Sequence, residues 1–203
     1  MLDFPSCGLY AITDGPRADL LDVVAQALAG GARLLQYRDL GADHLRRRDE
    51  ALELKRLCDE HGVPLLINGD AALALAVGAA GVHLGETAED LASARARLGP
   101  SALIGVSCFD SLDRARAMAA MGADYVSFGA FFPSPTLPHA RLAARELLGQ
   151  SAALGVPRVA IGGITPDNGA TLVDAGADYL AAISALFGAT DVQAAARRFA
   201  DLY

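Results

Sequence analysis

A chain of 203 residues fits one domain, expected over 1–203, near the lower limit of about 200 residues for a TIM barrel. Its composition, 53% hydrophobic, can bury a large core, yet no apolar run approaches the roughly 20 residues of a membrane span, so no membrane partner is expected. A net charge of −7 argues against a general nucleic-acid surface, and an anionic ligand therefore needs a local site of backbone amides, arginine or metal.

The opening stretch, MLDFPSCGLY, has no basic region before an apolar one, which reads as a cytoplasmic protein without a signal peptide. Cys7, Cys58 and Cys108 are far apart and outside any CxxC or Cys/His cluster, so they read as reduced core residues rather than a disulfide or zinc framework. A strand over 8–12 closes with Thr13-Asp14-Gly15-Pro16, and a helix over 19–29 stops at Gly30-Gly31. A strand over 33–37 precedes a long helix from 43 to 61. The arginines at 46, 47 and 48 read as its solvated face, with partners such as Asp43/Arg47 and Lys55/Asp59. Strand 64–67 ends in Asn68-Gly69-Asp70, and helix 71–77, strand 81–84 and helix 89–98 follow. Next come strand 102–107, a helix over 110–121 with Arg114 and Arg116 outward, and strand 125–128.

Three prolines in FFPSPTLPHA, residues 131–140, exclude helix and central strand there and predict the longest loop. A helix over 141–154 leads to the stretch richest in local signals. Val159-Ala160-Ile161 reads as a buried strand, and Gly162-Gly163 lets backbone amides approach a ligand with no Cβ in the way. Thr165-Pro166 then starts a helix that stops at Ala175-Gly176, before a strand over 179–183 and a closing amphipathic helix over 186–202. The Gly-Gly turn is either a phosphate cradle or only a tight βα turn.

Strands alternating with helices predict a parallel sheet, closed or doubly wound. Gly31-Ala32, Gly78-Ala79, Gly122-Ala123 and Gly176-Ala177 recur at intervals of 47, 44 and 54 residues, each ending a helix before an even-numbered strand. Each interval holds two βα units. Eight near-equal units predict an α/β fold with a single (β/α)8 barrel, and the G-x-G-x-x-G turn of a dinucleotide-binding sheet is absent.

In such a barrel the chemistry lies just past the strand ends. Those positions hold Gln36, Arg38, Asn68, Asp70, His83, Glu86, Ser107, Ser134, Thr136, Gly162, Gly163, Ile183 and Ser184. Arg38 suits a bidentate phosphate clamp, or an ion pair with Asp14 or Asp39 across the rim. His83 stands alone and reads most simply as a buried histidine satisfied by a neighbour. Asp70 and Glu86 suit a shared Mg²⁺, or equally the helix N-termini where acids need no metal.

Taken in order, Leu9-Tyr10-Ala11-Ile12-Thr13-Asp14, Leu35-Gln36-Tyr37-Arg38, Leu66-Ile67-Asn68, Gly81-Val82-His83-Leu84-Gly85, Gly105-Val106-Ser107, Gly122-Ala123-Asp124-Tyr125-Val126, Phe132-Pro133-Ser134-Pro135-Thr136, Ile161-Gly162-Gly163-Ile164 and Ala182-Ile183-Ser184 resemble thiamine phosphate synthase, a match over nearly the whole chain. The resemblance implies a TIM-barrel transferase of thiamine biosynthesis. It would join 4-amino-5-hydroxymethyl-2-methylpyrimidine diphosphate to 4-methyl-5-(2-phosphoethyl)thiazole, releasing pyrophosphate with Mg²⁺. It implies that Gln36, Arg38 and Asn68 lie by the pyrimidine diphosphate, and that Ser107, Ser134, Thr136, Gly163, Ile183 and Ser184 surround the two substrates. In that mechanism Arg38 and Gln36 hold the diphosphate, Ser107 assists its departure, and the Gly162-Gly163 and Ile183-Ser184 amides hold the thiazole phosphate.

Four charged positions of the family are neutral here. Its two lysines fall on Leu40 and Leu137, and its two metal-binding aspartates on Gly69 and Ala88. The expectation is an impaired diphosphate and Mg²⁺ half, for which Asp70 and Glu86 stand close enough to substitute. A barrel that binds a phosphorylated or thiamine-like ligand without turnover is the alternative. The related thiazole tautomerases resemble the chain too, but their loop histidine falls on Ala130. Phosphorylated small molecules are the expected partners, and the oligomeric state is open, a homo-oligomer included.

Overall fold

Short apolar runs bounded by glycine and Asx turns build the strands, and runs with apolar residues three and four apart build the helices. The computed structural model describes residues 7–85, 88–133 and 141–203. Its elements are β1 (Gly8–Ile12), α1 (Leu20–Ala29), β2 (Ala32–Tyr37), α2 (His44–His61), β3 (Leu65–Asn68), α3 (Ala71–Val77), β4 (Gly81–Leu84) and α4 (Ala88–Leu98). They continue with β5 (Leu103–Phe109), α5 (Leu112–Ala120), β6 (Tyr125–Phe128), α6 (Glu146–Gln150), β7 (Arg158–Ile161), α7 (Ala170–Val173), β8 (Tyr179–Ala182), α8 (Ser184–Phe187) and α9 (Val192–Ala200). Every strand pairs in parallel with the next and β8 pairs with β1, so the sheet closes into the expected (β/α)8 barrel. The four glycines of the repeated Gly-Ala signal all adopt positive φ, from 65° at Gly78 to 104° at Gly31, which is why glycine stands at each helix exit.

Closure sorts side chains by parity. Leu9, Leu35, Ile67, Val82, Ile104 and Val126 face the helices. Tyr10, Leu34, Leu66, Leu103, Tyr125, Val159 and Tyr179 fill the barrel interior. The cysteines are free, and burial pushes the Cys58 thiol up to about 12 and the Cys108 thiol up to about 11, as befits unreactive core residues. Among the described residues no helix is long and apolar enough to cross a membrane.

The last third of the chain departs from the sequence expectation. Where a helix was expected over 141–154, α6 is short and is followed by a 3-10 turn over Ala152–Leu154. The chain first docks on the loop after β6, the Ala143 amide donating to the Ala130 carbonyl at 2.7 Å. Thr165 does not cap a helix with its hydroxyl. The Asn168 carboxamide instead accepts from the Thr165 amide at 2.8 Å and donates to the Gly163 carbonyl at 3.0 Å, making a turn that delays α7. The closing helix splits into α8 and α9 because the Asp191 carboxylate accepts from the Ala194 amide at 2.8 Å and starts a new helix.

Two charge assignments also change. Lys55 pairs with Asp59 as expected. Arg47 pairs with Asp70 at 3.2 Å, while the Asp43 carboxylate accepts from the Arg46 amide at 3.0 Å as the N-cap of α2. Arg114 does not face outward. It folds back to donate to the Ser107 carbonyl at 2.8 Å and the Gly85 carbonyl at 2.7 Å, tying the ends of β4 and β5 together.

Candidate active site

At the C-terminal ends of the strands the interior opens into a cavity of about 220 Å³. Positions at the strand ends supply its polar wall: Gln36 from β2 and Arg38 just past it, Asn68 from β3, His83 from β4, Ser107 from β5 and Ser127 from β6. Ile161 and Ile183 close the apolar side. The volume is below the roughly 300–1,000 Å³ of pockets that hold whole drug-sized ligands, so the cavity takes one ring and leaves the remainder of a larger ligand at the rim.

Arg38 is held at its backbone. The Thr13 hydroxyl accepts from the Arg38 amide at 2.8 Å and donates to the Arg38 carbonyl at 3.1 Å, locking the end of β2 to β1. Neither carboxylate weighed as its partner is available. Asp14 pairs with Arg17, and Asp39 pairs with Arg46 at 2.5 Å. Although burial works to raise the Asp39 carboxyl, the Gly41 amide and Arg46 hold it below its usual range, so it stays ionised on Arg46. The Arg38 guanidinium and the Asn68 carboxamide thus line the cavity without a hydrogen bond or ion pair to a described residue. This arrangement suits an anion.

The floor joins three of the wall residues through two that the sequence reading did not single out, Tyr10 and Tyr125. The Gln36 Nε2–H donates to the Tyr10 hydroxyl at 2.7 Å, and the Tyr10 and Tyr125 hydroxyls share a hydrogen bond of 2.8 Å. Tyr125 bonds His83 Nδ1 at 2.8 Å, and His83 Nε2 bonds the Ser107 Oγ at 2.9 Å. His83 is satisfied by neighbours, as its isolation in the sequence suggested, but it is half-buried at the cavity wall; desolvation there lowers it to about 4, leaving it neutral near pH 7. Gly105 makes room for this floor. It lies opposite both His83 and Tyr125 in register, and a Cβ there would stand 1.8 Å from the Tyr125 Cζ. With no side chain between them the His83 and Tyr125 rings stack at 5.6 Å. The available signal was a glycine at an inward position of β5, facing tyrosine on the next strand. Ser127 carries the same kind of signal, a polar residue at an inward position of β6.

Gly162 and Gly163 lie outside the cavity lining, at the exit of β7, and both have positive φ, 102° and 63°. The loop after β6 lies directly on them. The Phe132 amide donates to the Gly162 carbonyl at 3.0 Å, and a Cβ on Gly163 would meet the Pro133 carbonyl oxygen at 2.5 Å. Next to them, Ile183 follows β8 as the N-cap of α8 and Ser184 opens that helix, whose Phe187 carbonyl accepts from Arg17 at 2.9 Å. The glycine turn and the α8 entry are adjacent because Ile161 pairs with Ala181 in the β7/β8 register.

The metal positions behave differently. Asp70 accepts from the Leu73 amide at 2.9 Å with one oxygen and from Arg47 at 3.2 Å with the other, so it caps α3 and neutralises an arginine. Among the described residues no three His, Cys, Asp or Glu side chains gather as a metal cage. These donors do not fit a ready Mg²⁺ site. Glu86, Ser134, Thr136 and Leu137 lie outside the described residues.

The geometry agrees with what the chain is similar to. The thiamine monophosphate synthase family matches residues 9–186. A thiamine-phosphate synthase of Chromobacterium violaceum is 53% identical over 195 residues, covering 95% of this chain and 94% of the relative. The solved thiamine phosphate pyrophosphorylase of Pyrococcus furiosus superposes with a TM-score of 0.87 at 33% identity, over 97% of this chain and 95% of that one. A 3-hexulose-6-phosphate synthase structure, at 18% identity and a TM-score of 0.71 over 96% of this chain and 99% of that one, shares the barrel alone. The chain belongs to the thiamine monophosphate synthase family.

Proposed function

We propose that the protein is a transferase that forms thiamine monophosphate and pyrophosphate from 4-amino-5-hydroxymethyl-2-methylpyrimidine diphosphate and 4-methyl-5-(2-phosphoethyl)thiazole. The observation that carries this reading is the convergence of Gln36, Arg38, Asn68, His83 and Ser107 on one cavity at the strand ends of a barrel from this family. The pyrimidine occupies the cavity and its diphosphate lies over Arg38 and Asn68. The C–O bond to the diphosphate breaks, the electron pair leaves with the oxygen, and the thiazole nitrogen donates its lone pair to the resulting methyl cation. Arg38 stabilises the negative charge that grows on the leaving oxygens, and Ser107 supplies a hydroxyl beside the reacting group. Ser134 and Thr136 are assigned to the same substrates by the family likeness. The Gly162, Gly163, Ile183 and Ser184 backbone takes the thiazole phosphate, where amides without an obstructing Cβ suit an anion. The substrates are small phosphorylated molecules in a cytoplasmic setting.

Mg²⁺ enters this proposal through the family likeness alone; Asp70, beside the vacated family position, is committed to Arg47 and the Leu73 amide and would have to release Arg47 to hold a metal together with Glu86. The neutral residues at Leu40, Gly69, Ala88 and Leu137 make the diphosphate half weak; Leu40 lies 73% exposed at the rim and offers no charge to replace a lysine. Incubating pure protein with both substrates, with and without Mg²⁺, tests the reading: thiamine monophosphate forming above background supports it, and tight ligand binding without product overturns it in favour of a binding protein. Calorimetry with separate ligands is expected to give ordinary affinity for the thiazole phosphate and weak affinity for Mg²⁺-pyrophosphate. The triple variant Leu40→Lys, Leu137→Lys, Ala88→Asp should gain activity, and tight Mg²⁺-pyrophosphate binding by the unmodified protein would remove the impaired-half assignment.

A further inference from the structure

Hydrogen bonds under the cavity run in series through Gln36–Tyr10–Tyr125–His83–Ser107, crossing the barrel from β2 to β5. Each hydroxyl carries one proton and a neutral imidazole carries one N–H, so the links are not independent. With the Gln36 Nε2–H donating to Tyr10, the Tyr10 proton goes to Tyr125 and the Tyr125 proton to His83 Nδ1. His83 then holds its proton on Nε2 and donates it to the Ser107 Oγ. The Ser107 proton is left for the cavity. Turning the Gln36 carboxamide by half a revolution reverses every link, and Ser107 then presents a lone pair instead. A mixed arrangement sets two donors or two acceptors face to face at the buried phenols, which disfavours it.

We propose that this chain is directional, and that the orientation of the Gln36 carboxamide decides whether the Ser107 hydroxyl donates to or accepts from the ligand in the cavity. Tyr10, Tyr125 and His83 are positioning residues. The two phenols are 1% and 0% exposed, and burial raises both above the ordinary tyrosine value, so their protons stay in place. Burial also keeps His83 neutral, which the count of one N–H requires. Gly105 maintains the contact that joins the tyrosine pair to the histidine, since a side chain there displaces the Tyr125 ring.

The consequence for ligand choice rests on the reading that a pyrimidine occupies the cavity. In the present direction Gln36 turns its carbonyl, and Ser107 its proton, to the ligand. That pair accepts an edge with an N–H donor beside a ring-nitrogen acceptor, the edge of a 4-aminopyrimidine, and mismatches the 4-oxo analogue, whose donor and acceptor are exchanged. One mismatched buried hydrogen bond corresponds to a preference of about 5- to 100-fold.

The direction is readable without any substrate. In ligand-free protein carrying ¹⁵N-labelled histidine, at neutral pH, the ring nitrogens report which one holds the proton. The signals of His83, one of four histidines, are those lost in His83→Gln. The expected result is a single tautomer protonated on Nε2. Gln36→Glu, whose carboxylate only accepts, should move the proton to Nδ1, and Gln36→Met should give a mixture. Adding Tyr10→Phe to Gln36→Glu cuts the chain and should restore the original tautomer. A His83 tautomer unmoved by Gln36→Glu, or one that moves equally in the Tyr10→Phe background, overturns the proposal, the second outcome showing a through-space charge effect. Titration with the 4-amino and 4-oxo pyrimidine alcohols should show the preference narrowing or reversing in Gln36→Glu; an unchanged preference overturns the link to ligand choice. If neither pyrimidine binds while the tautomer still switches, it is the assignment of the cavity to pyrimidine that falls.

Discussion

The two sides of the barrel mouth are built on opposite principles. From β1 to β6 the site is made of side chains: an arginine with no carboxylate partner among the described residues, a carboxamide, a histidine and hydroxyls joined beneath the cavity. From β7 to α8 it is made of backbone, and its distinguishing feature is the absence of Cβ atoms at Gly162 and Gly163. A side-chain site places its chemistry by residue identity, so substitutions damage function there more than folding. A backbone site is part of the fold itself, so substitutions damage both. Under the proposed function, the loss of family charges would bear on the side-chain half of the mouth and spare the backbone half.

Breaking the backbone side should have the largest effect. In Gly163→Ala the new Cβ meets the Pro133 and Phe132 carbonyl oxygens at 2.5 and 2.6 Å, at a φ of 63° that alanine adopts at a cost. Both obstacles are main chain and cannot swing away. The expected loss is roughly 2–5 kcal/mol of stability, together with thiazole phosphate affinity. Denaturant unfolding and calorimetry measure the two, and a variant as stable as the parent would show that this turn yields more than the contacts suggest.

On the side-chain half the largest stability effect should be a pH dependence. His83 is lowered to about 4 from an ordinary 6.5, so between those values the unfolded chain binds more protons than the folded one. Stability is therefore full above pH 6.5 and is lost as the pH falls through 4, by about 3 kcal/mol in total. His83→Gln should flatten this part of the profile in unfolding experiments across that range. An unchanged acid slope would mean that other groups carry it.

Arg38→Met sharpens the comparison from the functional side. Losing a charged hydrogen bond worth about 1.5–3 kcal/mol predicts a fall in kcat/KM of roughly 10- to 150-fold. Stability should stay within about 0.5 kcal/mol, because Arg38 has no partner to abandon among the described residues. Thiazole phosphate binding should also be unchanged. A large loss of stability would reveal a structural role for the guanidinium.

The smallest effect is expected at the brace behind the site. Arg114→Met leaves the Ser107 and Gly85 carbonyls without their donor and removes a cation held 5.9 Å above the Phe109 ring. The predicted cost is about 1–2 kcal/mol with a modest rise in KM, readable from unfolding and steady-state kinetics side by side.

Local pattern in the sequence was enough for the barrel and for the positions of its mouth. Strand periodicity, helix exits at Gly31, Gly78, Gly122 and Gly176, and the habit of parallel barrels to place chemistry after the strands put Gln36, Arg38, Asn68, His83 and Ser107 on one rim before any coordinates. Each of those signals lies within a few residues of chain. Tertiary structure alone decided the partners. Tyr10 and Tyr125 stand 115 positions apart and meet only because the sheet closes, while Arg47 leaves Asp43 for an aspartate 23 residues away. Arg114 bonds carbonyls at the ends of two strands, and Arg38 has no partner among the described residues because Arg46 and Arg17 pair with Asp39 and Asp14. Helix boundaries after 141 escaped for the same reason: docking on the β6 loop and the Asn168 turn outweigh propensities worth less than about 1 kcal/mol per residue. Pattern specifies which face of an element is buried, but the choice among several nearby charges or hydroxyls depends on distances that exist only after the barrel has closed.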